Sequence, residues 1–85
     1  MQMSLVAQDQ VQALPAAALL SFAEAITVLE IAPWRGRPFN RRNPDDAVRA
    51  LPFAVGDGLI TYLILEDQQI VEILDVQWID LTSPT

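Results

Sequence analysis

The segment GLITYLILEDQQIVEILDVQWI, residues 58–79, contains two runs of aliphatic and β-branched residues separated by four polar residues, 66–69. Such runs are typical of β-strands, and four polar residues suffice for a tight connection between them. The segment therefore predicts two antiparallel strands, and we expect this pair to form the centre of a sheet.

The alternation of residues in the second run predicts which side chains face the helices. Successive strand residues point to opposite faces, and one set of alternate positions is apolar except for Glu72. By the same rule Glu72 and Asp75, three positions apart, would point to opposite faces and could not form a catalytic pair. The residues expected to face a helix are Ile70, Leu74, Val76 and Trp78.

The other face of the sheet is expected to be only partly in contact with water. The first run is apolar on both sets of alternate positions, and Val71, Ile73 and Ile79 would add to the face that the helices leave uncovered. Soluble monomers rarely expose so much continuous apolar surface. We therefore expect a protein partner or a second copy of the chain to cover it.

The composition indicates one small globular domain, residues 1–85. Of these residues 52% are hydrophobic and 19% are charged, and no apolar run approaches the roughly 18 residues that cross a membrane. The chain has no cysteine and no histidine, which excludes disulfides and thiol chemistry and removes the commonest metal ligand and general base. We expect no cofactor, no metal and no membrane contact. The N-terminus lacks the pattern of a signal peptide, so a cytoplasmic protein is expected.

The net charge of -6 is unevenly distributed. All the cations are arginines within residues 35–49, where only two aspartates oppose them, and the rest of the chain carries acids alone. Arginine pairs bidentately with carboxylates and phosphates, so the cluster suits fixed contacts. It could pair with the chain's own acids, with an acidic protein partner or with nucleic acid. The five residues are Arg35, Arg37, Arg41, Arg42 and Arg49.

The first third of the chain predicts one short strand and two helices. Residues 2–7 could form an edge strand with Met3 and Leu5 inward, and residues 11–14 a short helix capped by Asp9. Pro15 then begins a longer helix that ends before Ala32-Pro33. The predicted core face of this helix is Leu19, Phe22, Ile26 and Leu29, with Ala16, Ala17, Ala23 and Ala25 allowing close approach to the sheet.

The middle of the chain predicts a long loop followed by a strand. Residues 34–43 have no periodicity, and loops of this kind are often functional. A turn at residues 44–46, capped by Asn43, leads into a strand at residues 47–53. Residues 55–58 then form the hairpin turn into the central strand pair.

Several of these features occur together in a known family. The order of elements and the sequence of the last three strands, over about residues 2–79, resemble the RelE/ParE superfamily of bacterial type II toxins. The residues that carry the resemblance are Arg49 on the second strand, Gly56 and Gly58 at the turn, Tyr62 on the third strand, Glu66-Asp67 in the hairpin, and residues 71–78.

The resemblance implies an α+β fold. Two N-terminal helices would pack on a curved antiparallel sheet of about four strands, in the order β-α-α-β-β-β. It also implies an antitoxin protein as the natural partner.

The resemblance leaves the activity open. Messenger-RNA cleavage on the ribosome, in the RelE branch, depends on basic residues of the sheet and on a C-terminal aromatic residue or histidine. This chain retains Arg49 and Tyr62 as catalytic candidates but has no lysine and no histidine, and Leu59 stands where members often place an arginine. The ParE branch, whose members poison gyrase without acting as nucleases, requires fewer catalytic residues and fits this sequence better.

Two aromatic residues of the loop, Trp34 and Phe39, alternate with the arginines. This composition suits either stacking on single-stranded nucleic acid or anchoring the loop to the helix end. Tyr62 could act as an acid or base, or be a core residue whose hydroxyl meets water. The leading hypothesis is a toxin that binds a macromolecular target, of gyrase or ribosome type, and is neutralised by an antitoxin. The alternative is an inactive relative that serves as a protein-binding or dimerisation module.

Overall fold

The computed structural model describes residues 1–79, which form two α-helices and one five-stranded sheet. The strand order is β1-β5-β4-β3-β2, with β1 parallel to β5 and all other neighbours antiparallel. The predicted α+β class is confirmed, but the sheet has five strands instead of about four and is mixed. The elements are β1 (Gln2–Met3), α1 (Leu5–Gln12), α2 (Ala16–Ile31), β2 (Arg37–Pro38), β3 (Val48–Phe53), β4 (Gly58–Leu65) and β5 (Ile70–Trp78).

The central hairpin forms as the sequence predicts. β4 pairs with β5 along its whole length, and the polar connection is a 3₁₀ turn, Glu66–Gln68, followed by Gln69 in the left-handed region at φ 53°. On β4 the buried positions alternate strictly, so Ile60, Tyr62 and Ile64 face the helices. This strand is the centre of the core.

The predicted facing of β5 is wrong over its first half because the strand contains a β-bulge. Tyr62 pairs with Ile73 while Thr61 pairs with Asp75, which leaves Leu74 as an extra residue. The inward set therefore changes at Leu74: Val71 and Ile73 are buried before it, and Val76 is buried after it. Ile73 is fully buried, so it adds nothing to an exposed apolar face.

The same bulge overturns the expectation for the two acids of β5. Glu72 lies opposite Leu63 and Asp75 lies opposite Thr61, and both partners are on the side of β4 that points away from the helices. Residues directly opposite each other in a sheet share a face. Glu72 and Asp75 therefore lie on the same face of the sheet.

The N-terminal segment leaves the sheet earlier than predicted. Ser4 caps α1, since its hydroxyl accepts a hydrogen bond from the amide of Ala7 at 3.1 Å. Leu5, expected to point inward from a strand, is instead the first helical residue and is largely exposed. Asp9 lies within the helix and does not cap it.

The helix α2 has the predicted bounds, with Pro15 as its N-cap and Ala32 ending it. Its buried face is displaced by about one residue from the predicted one. Phe22 and Leu29 are buried and Ile26 packs against the core, but Leu19 is 44% exposed. Small side chains take the closest positions to the sheet, namely Ala18 and Ala25, whereas Ala16, Ala17 and Ala23 are exposed. None of the helices within residues 1–79 is long and apolar enough to cross a membrane.

The helix α1 protects the outer edge of β5, which β1 covers over only two residues. Ser4 donates its hydroxyl to the carbonyl of Leu74 at 2.9 Å, and Gln10 accepts the amide of Val76 at 2.6 Å. Gln10 also donates to the carboxylate of Asp75 at 2.7 Å. These side chains satisfy backbone groups that would otherwise be open to another strand.

Candidate functional site

The long loop, residues 33–46 and called the arginine loop below, has more structure than the sequence predicts. It contains a 3₁₀ turn, Pro33–Arg35, and the short strand β2, which pairs with β3. Asn43 forms the predicted turn, because its side-chain oxygen accepts the amide of Asp45 at 3.1 Å. The loop is therefore a fixed part of the sheet edge.

Tyr62 fastens the start of the arginine loop to the sheet. Its hydroxyl donates to the carbonyl of Pro33 at 2.6 Å and accepts the amide of Gly36 at 3.0 Å. The side chain is fully buried, so the expectation that its hydroxyl meets water is wrong. A Cβ at position 36 would overlap the Tyr62 hydroxyl, which explains why glycine stands there.

Arg49 fastens the remainder of the loop from beneath. Its Nε donates to the carbonyl of Gly36 at 2.8 Å, and its Nη1 donates to the carbonyls of Pro44 at 3.0 Å and Asp46 at 3.2 Å. The guanidinium carbon also lies 5.2 Å from the centroid of the Trp34 ring, a cation–π distance. Arg49 is buried, and its side-chain hydrogen bonds all run to backbone carbonyls.

Asp46 closes the loop from its far end. One carboxylate oxygen accepts the amide of Asn40 at 2.9 Å and the other accepts the amide of Val48 at 3.1 Å. These two hydrogen bonds, aided by the charge of Arg49, hold the pKa of Asp46 below its usual value. The carboxylate is thus a structural anchor of the loop.

The burial of Tyr62 affects what it could do chemically. Desolvation raises its pKa above the ordinary value, and the hydrogen bond from Gly36 and the charge of Arg49 offset this only in part. At neutral pH the hydroxyl is therefore protonated, and its proton is already donated to a backbone carbonyl. In this arrangement Tyr62 is a poor general base.

The four arginines of the arginine loop are exposed, in contrast to Arg49 on β3. Within residues 1–79 no arginine side chain makes a hydrogen bond to a carboxylate. Arg37 and Arg41 border a shallow groove of about 340 Å³ whose apolar residues include Phe39, itself 68% exposed. The remaining lining residues of this groove are Pro38, Ala50 and Leu59.

The sheet face that points away from the helices, called the open face, is largely apolar. Leu59, Leu63 and Leu65 are partly buried on it, and Glu72 and Asp75 lie opposite β4 on the same side. Arg37 pairs with Ala50 at the far edge of the sheet. Ala50 lies opposite Thr61, so Arg37 is on the open face as well, at its far edge. Within residues 1–79, the strands β3, β4 and β5 add no further cation to this face.

Sequence reasoning identified Arg49 and Tyr62 but missed the groups that they hold. The sequence predicts a turn at Asp46 and marks nothing at Gly36, and in neither case does it indicate an anchor of the loop. Gln10, which covers the edge of β5, gave no signal, because a glutamine on a short helix is most often in water. Only tertiary contacts reveal these roles.

Comparison with known proteins identifies the fold. No protein-family model matches the sequence, and no curated protein matches it significantly. Among solved structures, the isolated E. coli RelE toxin aligns with a TM-score of 0.76 at 8% identity, over 93% of this chain and 82% of that one. The toxin–antitoxin complex of E. coli RelBE aligns with a TM-score of 0.70 at 10% identity, over 93% and 94%. The archaeal RelE–RelB complex from Pyrococcus horikoshii OT3 aligns with a TM-score of 0.65 at 17% identity, over 91% and 90%. The chain therefore has the fold of these RelE proteins.

Proposed function

We propose that this chain is the toxin component of a toxin–antitoxin pair, and that it acts by binding a macromolecule and not by cleaving RNA. The fold is that of RelE toxins, and two of the solved structures with this fold are complexes with an antitoxin. A protein partner that neutralises the chain is therefore part of the proposal.

One observation carries the choice of binding over cleavage. The two residues suited to chemistry, Arg49 and Tyr62, are buried and hold the arginine loop by hydrogen bonds to its backbone. The loop in turn presents Arg35, Arg37, Arg41 and Arg42 to solvent. The polar network thus fixes the backbone that carries these arginines, and a fixed backbone loses less conformational freedom on binding than a mobile loop.

The open face supports the same choice. General acid–base cleavage of RNA needs groups that stabilise a phosphate as charge develops on it. The strands β4 and β5 place Glu72 and Asp75 on this face, where two carboxylates would repel a phosphodiester, and Arg37 lies at the opposite edge of the sheet. Of the two target types, a protein target of the gyrase type is therefore favoured over the ribosome. The groove between Arg37 and Arg41 suits an acidic segment of such a protein.

Expression without a partner tests the proposal. Controlled expression in a bacterial host is expected to slow growth, and co-expression of a small neighbouring reading frame to restore it. DNA damage without cleaved messenger RNA would support the gyrase-type target. Unimpaired growth at high soluble yield would contradict the toxin function.

A second candidate is an inactive relative that serves as a protein-binding or dimerisation module. It is favoured by the apolar open face, where Leu59, Leu63 and Leu65 are only partly buried by the chain itself. Unimpaired growth together with a stable complex or homodimer would support this reading.

A further inference from the structure

Two grooves meet at Trp34, at the end of the sheet where β4 turns into β5. The larger, of about 440 Å³, has an apolar floor that includes Leu29, Ile64 and Val71. The smaller, of about 350 Å³, shares Trp34 and Ile64 with it. Trp34 is 42% exposed and forms the wall common to both grooves.

The polar groups that line these grooves are mainly carboxylates. Glu30 and Glu66 border the larger groove, and Asp45, Glu66 and Asp67 border the smaller one. All four side chains belong to exposed residues, and neither groove has an arginine among its lining residues. The grooves therefore favour a positively charged occupant.

The indole ring of Trp34 is the second feature, because it is 42% exposed and an exposed aromatic ring can accept a cation. The buried guanidinium of Arg49 already lies 5.2 Å from the ring centroid, so an incoming cation would meet the exposed part of the ring. The sequence placed Trp34 among the arginines as a candidate for stacking on nucleic acid. The structure surrounds it with carboxylates, which would repel a phosphate backbone.

We propose that the two grooves bind an arginine-bearing segment of a partner protein. The aliphatic stem of an arginine would lie on the apolar floor, while its guanidinium would meet the carboxylates and the indole. Two grooves with one shared wall suit two basic side chains of one extended peptide. This surface does not use the exposed arginines, and the inference does not depend on the toxin function.

The test is a titration of the whole chain with two short peptides, Ac-Gly-Arg-Leu-Arg-Gly-NH₂ and its counterpart with glutamine at both arginine positions. Binding is followed by the indole N–H resonances of Trp34 and Trp78 in NMR spectra, assigned with a Trp34→Phe variant. The arginine peptide is expected to shift the Trp34 resonance saturably within the low millimolar range and to leave Trp78, whose Nε1 is buried, unchanged. The glutamine peptide is expected not to saturate.

Variants then test whether the carboxylates of the grooves are responsible. Glu30→Gln/Glu66→Gln is expected to weaken binding roughly three- to tenfold, since each exposed ion pair contributes a modest amount. The matched control Glu24→Gln/Glu72→Gln makes the same change of net charge elsewhere and is expected to leave the affinity within about twofold.

Three results would overturn the inference. They are no saturable shift of Trp34 with the arginine peptide, an equal effect of the control variant, and an equal affinity for the glutamine peptide. Spermidine serves as a further probe: if it binds as tightly as the arginine peptide, the site takes small organic cations and the peptide proposal is wrong.

Discussion

At the scale of single residues, the least expected feature is that two polar side chains of the core serve the backbone of a loop. Arg49 and Tyr62 are selected from the sequence because they are among the residues that carry the family resemblance. Their roles could not be predicted, because the sequence does not show whether an arginine is exposed or is buried with its hydrogen bonds made to carbonyls. Once buried, each must keep its hydrogen bonds, since an unpaired polar group inside a protein is costly.

Replacement of Tyr62 by phenylalanine tests this role. The change removes the acceptor of the buried Gly36 amide and the donor to Pro33. We expect the free energy of unfolding to fall by about 1–3 kcal/mol, measured by urea denaturation. Backbone amide exchange at residues 34–37 should quicken more than exchange in α1. A loss below about 0.5 kcal/mol would mean that water replaces the hydroxyl at no cost.

The raised pKa of Tyr62 predicts a loss of stability at alkaline pH. The folded state holds the phenolic proton more tightly than the unfolded chain does, so the stabilisation is complete below the unfolded pKa of about 10 and is lost as pH rises above it. The chain has one tyrosine and no lysine or cysteine, so no other side chain titrates there. Urea midpoints are expected to fall above about pH 10 in the wild type and to stay level in Tyr62→Phe. Parallel curves for the two proteins would contradict the assignment.

At the scale of elements, the sequence predicts most of the helices and strands but not how they face. The hairpin of β4 and β5, the bounds of α2 and the turn at Asn43 follow from local patterns, and all three are found. The facing of β5 does not follow from a local pattern. One inserted residue, Leu74, reverses the alternation, and the neighbouring sequence gives no sign of the bulge. The short strands β1 and β2 depend on partners distant in sequence, and two residues carry no periodic signal.

The edge of β5 provides a prediction for α1. Gln10→Ala removes the acceptor of the Val76 amide and the donor to Asp75. We expect the free energy of unfolding, measured by urea denaturation, to fall by about 1–2 kcal/mol. Self-association through the uncovered edge, measured by light scattering, is expected to increase. Gln12→Ala, an exposed position on the same helix, serves as the control. Equal behaviour of the two variants would show that Gln10 does not protect the edge.

The aromatic contact between α2 and the sheet provides a second prediction. The rings of Phe22 and Phe53 pack edge-on with their centroids 5.7 Å apart, and the ring centroids of Phe53 and Trp78 are 6.0 Å apart. Phe22→Ala is expected to lower the free energy of unfolding by about 3–5 kcal/mol, which is close to the whole stability of a domain of this size. Leu20→Ala, on the exposed side of the same helix, is expected to cost less than about 0.5 kcal/mol. A cooperative Phe22→Ala protein that loses less than about 1 kcal/mol would contradict the packing described.

At the scale of the whole molecule, charge is divided between two surfaces. The exposed arginines lie on the arginine loop, beside the groove of Arg37 and Arg41, whereas carboxylates border the grooves at Trp34. A net charge of -6 conceals this division, and the positions of the arginines in the sequence reveal only one half of it. The molecule thus offers separate surfaces to acidic and to basic partners. The sequence could predict the arginine surface but not the acidic one, because its carboxylates come from three separate segments.

The measurement that tests the proposed function most directly compares growth and messenger-RNA integrity for the wild type and for Arg37→Glu/Arg41→Glu. The control is Gln12→Glu/Thr27→Glu, which also introduces two glutamates, but at exposed helix positions outside the arginine loop. Circular dichroism establishes that all three proteins are equally folded. We expect the wild type and the control to slow growth with intact messenger RNA, and the arginine-loop variant to grow normally. Cleaved messenger RNA in the wild-type strain, or growth arrest that persists in Arg37→Glu/Arg41→Glu, would contradict the proposal that this protein acts by binding through the arginine loop.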